Sequence, residues 1–219
     1  MNETSPSATS QNPFCTRRVR PGVVPFVFPP GQDAEGLVDR LRQCGWWAEI
    51  VGTHGSGKSA LLASLIPAIE RAGLRTVLAA LHDGQRRLPL DLSRDPRLHP
   101  PVVLIVDGYE QLSRWSRLAL KRFCRRRDVG LLVTSHQPVG FPELYHTAPT
   151  LGLAEQIVRE LMGGQELPLT PEELTDCFSR RRGNLREMLF ELYDLYEQRR
   201  PSHGPSGPPA PFPAGKGAG

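Results

Sequence analysis

The feature that most constrains the fold of this chain is a glycine-rich octapeptide at residues 52–59, GTHGSGKS, which matches the pattern G-x-x-x-x-G-K-[ST] at every position. Glycines in such a loop let backbone N–H groups approach phosphate oxygens, the lysine reaches the β- and γ-phosphates, and the next hydroxyl binds Mg²⁺. The N-terminus of the following helix adds its positive dipole end. We therefore expect a nucleotide to be held through its phosphates by Gly52, Thr53, His54, Gly55, Ser56, Gly57, Lys58, Ser59 and Ala60.

The residues on either side of the octapeptide have the patterns of a strand and a helix. Residues 46–51, WWAEIV, are rich in aromatic and β-branched types, which predicts a strand. Downstream, one helical face is formed by Leu61, Leu62, Leu65, Ile66 and Ile69. Pro67 lies within this stripe and predicts a kink or an early helix end. A strand, a glycine loop and a helix in this order form the context in which the pattern binds phosphate.

The sequence argues against a membrane protein and against a cysteine-based metal site. No apolar run reaches membrane-spanning length, and residues 1–13 lack the basic and apolar regions of a signal peptide, so we expect a soluble cytoplasmic protein without a membrane partner. The four cysteines are far apart and form no C-x-x-C pair, which favours inert thiols over a metal site or disulfides.

The basic residues are almost all arginine. Three of the 27 basic side chains are lysines, and one of these three lies in the octapeptide. Arginine favours bidentate phosphate contacts, but abundant Arg, Pro, Ala and Gly are also typical of a GC-rich genome. Composition therefore supports a nucleic-acid partner only weakly.

Four segments are predicted along the chain. Residues 1–12 and the Pro- and Gly-rich residues 200–219 are expected to be disordered tails. Residues 13–152 are expected to form an α/β nucleotide-binding domain that begins with an irregular aromatic arm. Residues 153–199 carry helical patterns and are expected to form a helical lid.

Within the second segment, strands alternate with helices, which predicts a parallel sheet with helices on both faces. After the first strand, further strands are expected at residues 76–81, 102–106, 131–135 and, more weakly, 147–151. A helix is expected over residues 110–126, with Leu112, Trp115, Ala119 and Phe123 on its apolar face.

Asp107 directly follows the apolar run at 102–106, and a Mg²⁺–nucleotide site needs an acidic residue at the end of a buried strand beside the loop. Residues 52–59 and 103–107 resemble Walker A and Walker B motifs, and the order of elements over about residues 33–199 resembles the AAA+ and STAND-like branch of the P-loop NTPases. The resemblance implies a three-layer α/β/α fold with a helical lid, ATP and Mg²⁺ as ligands, and Ser59 and Asp107 as metal ligands.

The same resemblance assigns further residues to the nucleotide. It implies a catalytic role for Lys58 and a γ-phosphate contact from the strand after Walker B, where Ser135 and His136 match by position and Thr134 is less favoured. It also implies that Arg186, at the start of a lid helix, reaches the nucleotide, against the alternative of a solvated charge.

Two departures from the family pattern concern hydrolysis. Gly108 stands where these ATPases usually have the glutamate that orients water, so Glu110 becomes the candidate catalytic carboxylate, against the alternative of a helix N-terminal charge. Residues 137–150, where the family often has an arginine finger, contain no arginine. Slow hydrolysis, or hydrolysis stimulated by a partner, is therefore expected.

The aromatic arm has two interpretations. Phe14, Phe26 and Phe28 could line an adenine pocket with Arg17 or Arg18 near the phosphates, but packing as core across the sheet edge is favoured.

The leading functional hypothesis is an ATP-binding switch with weak or partner-dependent hydrolysis. The alternatives are a small-molecule or nucleotide kinase and an ATP-regulated DNA-associated protein. A GTPase is disfavoured, because the sequence has no N-K-x-D motif.

Overall fold

The computed structural model describes residues 12–14, 25–82, 84–92, 94–163 and 169–199. The two predicted tails, except for Asn12, and the arm residues Arg17 and Arg18 lie outside the described residues. Within the described ranges, no helix is both long enough and apolar enough to cross a membrane.

Strands and helices alternate through the first part of the chain, and helices alone follow. The strands are β1 (Trp47–Gly52), β2 (Arg75–Ala80), β3 (Val102–Asp107), β4 (Gly130–Ser135) and β5 (Glu143–Thr147). The helices are α1 (Ala34–Gln43), α2 (Lys58–Arg71), α3 (Arg114–Arg127), α4 (Leu151–Met162), α5 (Pro171–Arg180) and α6 (Leu185–Arg199), and a 3₁₀ turn covers Tyr109–Gln111.

The sheet has the strand order β2-β3-β4-β1-β5, and every neighbouring pair is parallel. Because parallel strands point the same way, the carboxyl ends of all five strands lie at one edge of the sheet. Gly52, Asp107, Ser135 and Thr147 end four of these strands and are therefore brought to that edge. The predicted α/β fold with a parallel sheet and C-terminal helices is confirmed.

Strand β3 shows how the core is divided between the two faces of the sheet. Val103 and Ile105 belong to the cluster formed with α1 and α2, whereas Leu104 and Val106 belong to the cluster formed with α3. Such alternation, with both sets fully buried, explains why residues 102–106 are apolar without interruption.

One predicted strand boundary is wrong, and one of the two alternatives predicted for Pro67 is excluded. The last strand is Glu143–Thr147 rather than residues 147–151, because the Thr150 hydroxyl caps α4 by accepting a hydrogen bond from the Leu153 N–H. Helix α2 continues through Pro67 to Arg71, so it does not end early at that proline.

The helix predicted over residues 110–126 also differs from the one observed. It begins after Ser113, whose hydroxyl accepts a hydrogen bond from the Ser116 N–H and caps the helix. Its inward face carries Leu120 and Cys124, whereas Trp115 is 81% exposed. The predicted apolar face is therefore wrong for Trp115 and Ala119, which are exposed, whereas Leu112 and Phe123 pack with the core as predicted.

The C-terminal helices α4, α5 and α6 enclose a separate apolar cluster that includes a residue of the N-terminal arm. Phe14 is fully buried there, and its ring meets the ring of Tyr196 edge to face at a centroid distance of 6.1 Å. The Asn12 amide donates hydrogen bonds to the Tyr193 carbonyl oxygen at 3.1 Å and to Glu197 Oε1 at 2.8 Å. These contacts make Asn12 and Phe14 part of the helical core.

We expect Phe14→Ala to lower the free energy of unfolding by about 3 kcal/mol, because it leaves a cavity in this cluster. Urea denaturation followed by circular dichroism measures the change. Trp115→Ala is the matched control, since it removes an exposed aromatic ring and is expected to change stability by less than about 0.5 kcal/mol. Equal effects of the two substitutions would contradict the placement of Phe14.

Candidate nucleotide-binding site

The octapeptide forms the turn between β1 and α2. Gly57 is the N-cap residue of α2 and has a left-handed backbone (φ 97°). Because glycine has no side chain, no side chain caps the first N–H groups of the helix. Gly55 is also left-handed, with φ 68°. These conformations strongly favour glycine, so the loop geometry follows directly from the sequence.

Two of the glycines lie where the loop is pressed against other parts of the chain. A Cβ atom on Gly52 would come within 1.9 Å of Thr147 Oγ1, at the end of β5. A Cβ atom on Gly55 would come within 1.8 Å of Asn184 Oδ1, beside the start of α6. The loop therefore touches both the sheet edge and the C-terminal helices at positions without room for a side chain.

Lys58 places its ammonium group within the loop. Its Nζ donates hydrogen bonds to the carbonyl oxygens of Gly52 at 2.6 Å and Thr53 at 2.8 Å. Burial lowers the pKa of this ammonium group, and the negative charges of Glu110 and Asp107 oppose that effect. A cation with two carboxylates close by thus lies at the carboxyl edge of the sheet.

Asp107 connects three elements through its carboxylate. The Ser59 hydroxyl at the start of α2 donates to Asp107 Oδ2 at 2.7 Å, and the Thr134 hydroxyl at the end of β4 donates to Oδ1 at 2.5 Å. The Thr134 oxygen in turn accepts the Gly108 N–H at 2.9 Å. The predicted metal ligands Ser59 and Asp107 are therefore in direct contact.

Glu110 lies beside this group because the chain turns sharply after Asp107. Gly108 has a left-handed backbone (φ 87°), and the 3₁₀ turn that follows brings Glu110 Oε1 to 3.1 Å from His136 Nδ1. Glu110 Oε2 is buried and has no hydrogen-bond partner among the described residues. One carboxylate oxygen is thus paired with His136, and the other is buried without a hydrogen-bond donor among the described residues.

His136 contacts His54 as well as Glu110. The two imidazole rings lie 3.6 Å apart between centroids. Burial lowers the pKa of His136, although the Glu110 carboxylate acts in the opposite direction. A neutral imidazole can donate its Nδ1–H to Glu110 Oε1.

The other predicted residues are placed differently. The Ser135 hydroxyl, predicted to contact the γ-phosphate, donates to the Gln137 carbonyl oxygen at 2.7 Å. Arg186 is exposed, with its guanidinium 5.7 Å from the centre of the Phe190 ring. Phe26 packs beside the loop, 3.7 Å from the position of a Cβ atom on Gly57. Phe14 belongs to the helical core, so of these two arm residues only Phe26 lies at the loop.

Three residues at the site were missed or ranked low from sequence. Thr134 ranked below its neighbours, because a strand end carrying Thr, Ser and His in succession does not reveal which side chain faces Asp107. Thr147 hydrogen-bonds the Ser56 hydroxyl at 2.6 Å, and Asn184 contacts Gly55, yet both lie far from the loop in sequence. No local sequence pattern predicts that Thr147 and Asn184 contact the loop.

We expect Thr134→Val to lower the free energy of unfolding by about 1–3 kcal/mol, because the Asp107 carboxylate loses a donor and the Gly108 N–H loses its acceptor. Thermal or urea unfolding without nucleotide measures the effect. Thr175→Val is the matched control: its hydroxyl donates to the Pro171 carbonyl oxygen on the outer side of α5, and its loss should cost less than about 0.5 kcal/mol. A Thr134→Val protein as stable as the parent would contradict the network.

Comparison with known proteins identifies the fold. No protein-family model matches the chain, and no curated protein matches it in sequence. A Walker-type ATPase of Pyrococcus abyssi is 13% identical with a TM-score of 0.55, over 85% of this chain and 72% of that one. Hsp104 of S. cerevisiae in its ADP complex is 15% identical with a TM-score of 0.53, over 82% of this chain and 32% of that one.

NtrX of Brucella abortus in complex with ATP is 13% identical with a TM-score of 0.50, over 80% of this chain and 55% of that one. The chain thus spans about half the length of NtrX and about a third of Hsp104. At these identities the similarity concerns the fold. The chain has the P-loop NTPase fold, as the sequence resemblance predicted, and it shares this fold with the Walker-type ATPase and Hsp104.

Proposed function

We propose that this protein binds ATP with Mg²⁺ at the loop of residues 52–60, hydrolyses it slowly or when a partner stimulates it, and acts as a nucleotide-controlled switch. The observation that carries the proposal is the contact of 2.7 Å between the Ser59 hydroxyl and the Asp107 carboxylate directly beside Lys58. A hydroxyl, a carboxylate and a lysine at one glycine loop are the groups that Mg²⁺-nucleotide binding requires.

The phosphates are the part of the ligand that the chain is best equipped to hold. The uncapped N–H groups at the start of α2 and the Lys58 ammonium group supply donors and positive charge for them. ATP is favoured over GTP because the sequence has no N-K-x-D motif, and the neighbouring structures of NtrX and Hsp104 were determined with ATP and ADP. A cytoplasmic location, where ATP and Mg²⁺ are available, is part of this proposal.

The residues present fit Mg²⁺. Ser59 and Asp107 offer hard oxygen ligands, and the described residues contain no cluster of three or more His, Cys, Asp or Glu side chains that would form a protein-only metal site. Mg²⁺ commonly binds through one or two protein groups together with water and substrate phosphates. Bound Mg²⁺ supplies charge neutralisation at the phosphate oxygens.

Glu110 is the proposed general base for hydrolysis. Its buried Oε2 is the atom that would accept the proton from the attacking water, while Oε1 is held by His136. The Arg117 guanidinium donates to the Glu110 carbonyl oxygen at 2.7 Å and to the Leu112 carbonyl oxygen at 2.9 Å, which fixes the backbone of the turn. Glu110 therefore takes the place of the carboxylate that is absent at Gly108.

The switch would act through Asn184. Its side chain caps α6 by accepting a hydrogen bond from the Glu187 N–H and also contacts the loop at Gly55. A phosphate that moves the loop therefore changes the packing at the start of α6. Arg186 lies two residues further on, so the same movement would bring its guanidinium from the solvent toward the nucleotide. An unknown protein partner would bind differently to the two positions of these helices.

We expect Lys58→Ala to abolish ATP binding, because the substitution removes the cation that neutralises the β- and γ-phosphates. Isothermal titration with Mg-ATP and Mg-GTP measures the affinities. Lys121→Ala is the matched control, since this lysine is on α3 and lies over the Phe141 ring, away from the glycine loop. Unchanged ATP affinity in Lys58→Ala would overturn the assignment of the site.

We expect Glu110→Gln to reduce ATP turnover roughly 100-fold with little change in ATP affinity, because the amide cannot accept a proton. Single-turnover hydrolysis of Mg-ATP measures the rate. Glu143→Gln is the matched control, because Glu143 also pairs with a histidine, His146 at 3.5 Å, but lies in the edge strand β5. A Glu110→Gln protein that hydrolyses ATP at the parent rate would exclude Glu110 as the base.

A further inference from the structure

Helix α3 is strongly and uniformly basic. In its fourteen residues it has no acidic side chain and carries seven cations: Arg114, Arg117, Lys121, Arg122, Arg125, Arg126 and Arg127. A surface helix usually mixes charges of both signs, since opposite charges three or four residues apart stabilise it. The charge of α3 is therefore not balanced within the helix.

Three of these cations are used in packing. Arg117 lies over the Tyr109 ring at 5.3 Å, Lys121 over the Phe141 ring at 4.2 Å, and Arg125 over the Trp47 ring at 5.4 Å, each measured to the ring centroid. Their spacing of four residues places them along one flank of α3, beside the core cluster that α3 forms with the sheet. The cations on this flank therefore serve to pack α3 against aromatic rings of the same chain.

The outward face of α3 carries a different set. This set, the α3 outer face, consists of Trp115, Leu118, Ala119, Arg122 and Arg126. Trp115 is 81% exposed and Leu118 is 60% exposed. Among the described residues no carboxylate lies within ion-pair distance of Arg122 or Arg126. An apolar end and an unpaired cationic end thus follow each other along one helix.

We propose that the α3 outer face binds an acidic amphipathic helix of a protein partner. The residues recur at intervals of three and four over about 16 Å, which is the length and shape of a helix–helix contact. Apolar side chains of the partner would cover Trp115 and Leu118, and its carboxylates would pair with Arg122 and Arg126. Exposed tryptophan and arginine are the residue types that contribute most to protein interfaces.

Two other occupants fit less well. A nucleic acid would pair with the arginines and stack a base on Trp115, but it would leave Leu118 and Ala119 uncovered. An anionic membrane needs an apolar face that inserts along the helix, whereas the apolar part here is confined to the N-terminal half of α3. Charge and shape together favour the acidic helix.

The test uses a synthetic peptide of eighteen residues with leucines at helical spacing and glutamates flanking them. Fluorescence anisotropy of the labelled peptide is measured against the full chain without nucleotide, so loss of this interaction and loss of the nucleotide site are separate outcomes. We expect binding that weakens as salt is raised, because the arginine–carboxylate pairs are screened. Trp115→Ala and the double variant Arg122→Glu/Arg126→Glu are each expected to weaken binding at least about tenfold.

The controls separate this surface from general basicity. Arg159→Glu changes the charge of an exposed arginine on α4 and is expected to leave binding unchanged. A peptide with lysines in place of the glutamates, and a scrambled peptide of the same composition, are expected not to bind. All variants should unfold at the same urea concentration as the parent, since the substituted side chains are exposed.

Several results would overturn the proposal. These are the absence of binding to the acidic peptide, equal binding of the scrambled or lysine peptide, and tighter Trp115-dependent binding of single-stranded oligothymidine or of vesicles containing phosphatidylserine. Self-association in sedimentation that disappears in Trp115→Ala would instead assign this face to a second copy of the chain.

Discussion

The carboxylate of Asp107 is the point on which the site depends. It terminates a strand that is buried on both faces, and its two oxygens accept hydrogen bonds from the first turn of α2 and the end of β4. Hydroxyls donating to a carboxylate form strong hydrogen bonds, and a partly buried acid without such donors would be destabilising. The same bonds that satisfy Asp107 therefore hold the glycine loop at a fixed distance from the central strands.

A second constraint is the close packing of the glycine loop. Gly52 is pressed against Thr147 and Gly55 against Asn184, so the loop is bounded by β5 on one side and by the start of α6 on the other. Atoms in such contact cannot move independently, because close-packed interiors transmit displacement. The position of the C-terminal helices and the conformation of the loop therefore depend on each other through these contacts.

The sequence predicts the glycine loop and the central strand β3 better than the edge strand β5 and the exposed face of α3. The octapeptide and the apolar run before Asp107 are local signals, and both lie where the sequence places them. Strand β5 was misplaced because it lies at the sheet edge with Glu143 and His146 exposed, so it lacks the apolar run of a central strand. The apolar face of α3 was misassigned because Trp115 is periodic with apolar neighbours yet points into solvent. Thr147 and Asn184 reach the loop only through tertiary folding, which no spacing in the sequence reports.

Helix α3 connects two of these regions. Arg117 on its inner flank donates to the carbonyl oxygens of Glu110 and Leu112 and lies over Tyr109, so the helix and the turn after Asp107 are tied by three contacts. Trp115 and Leu118 on the outer face lie within one helical turn of Arg117. Arg117 thus lies on the same turn of α3 as the two exposed apolar residues of the outer face. The turn that carries the proposed base is therefore held by the same segment of α3 that presents the outer face.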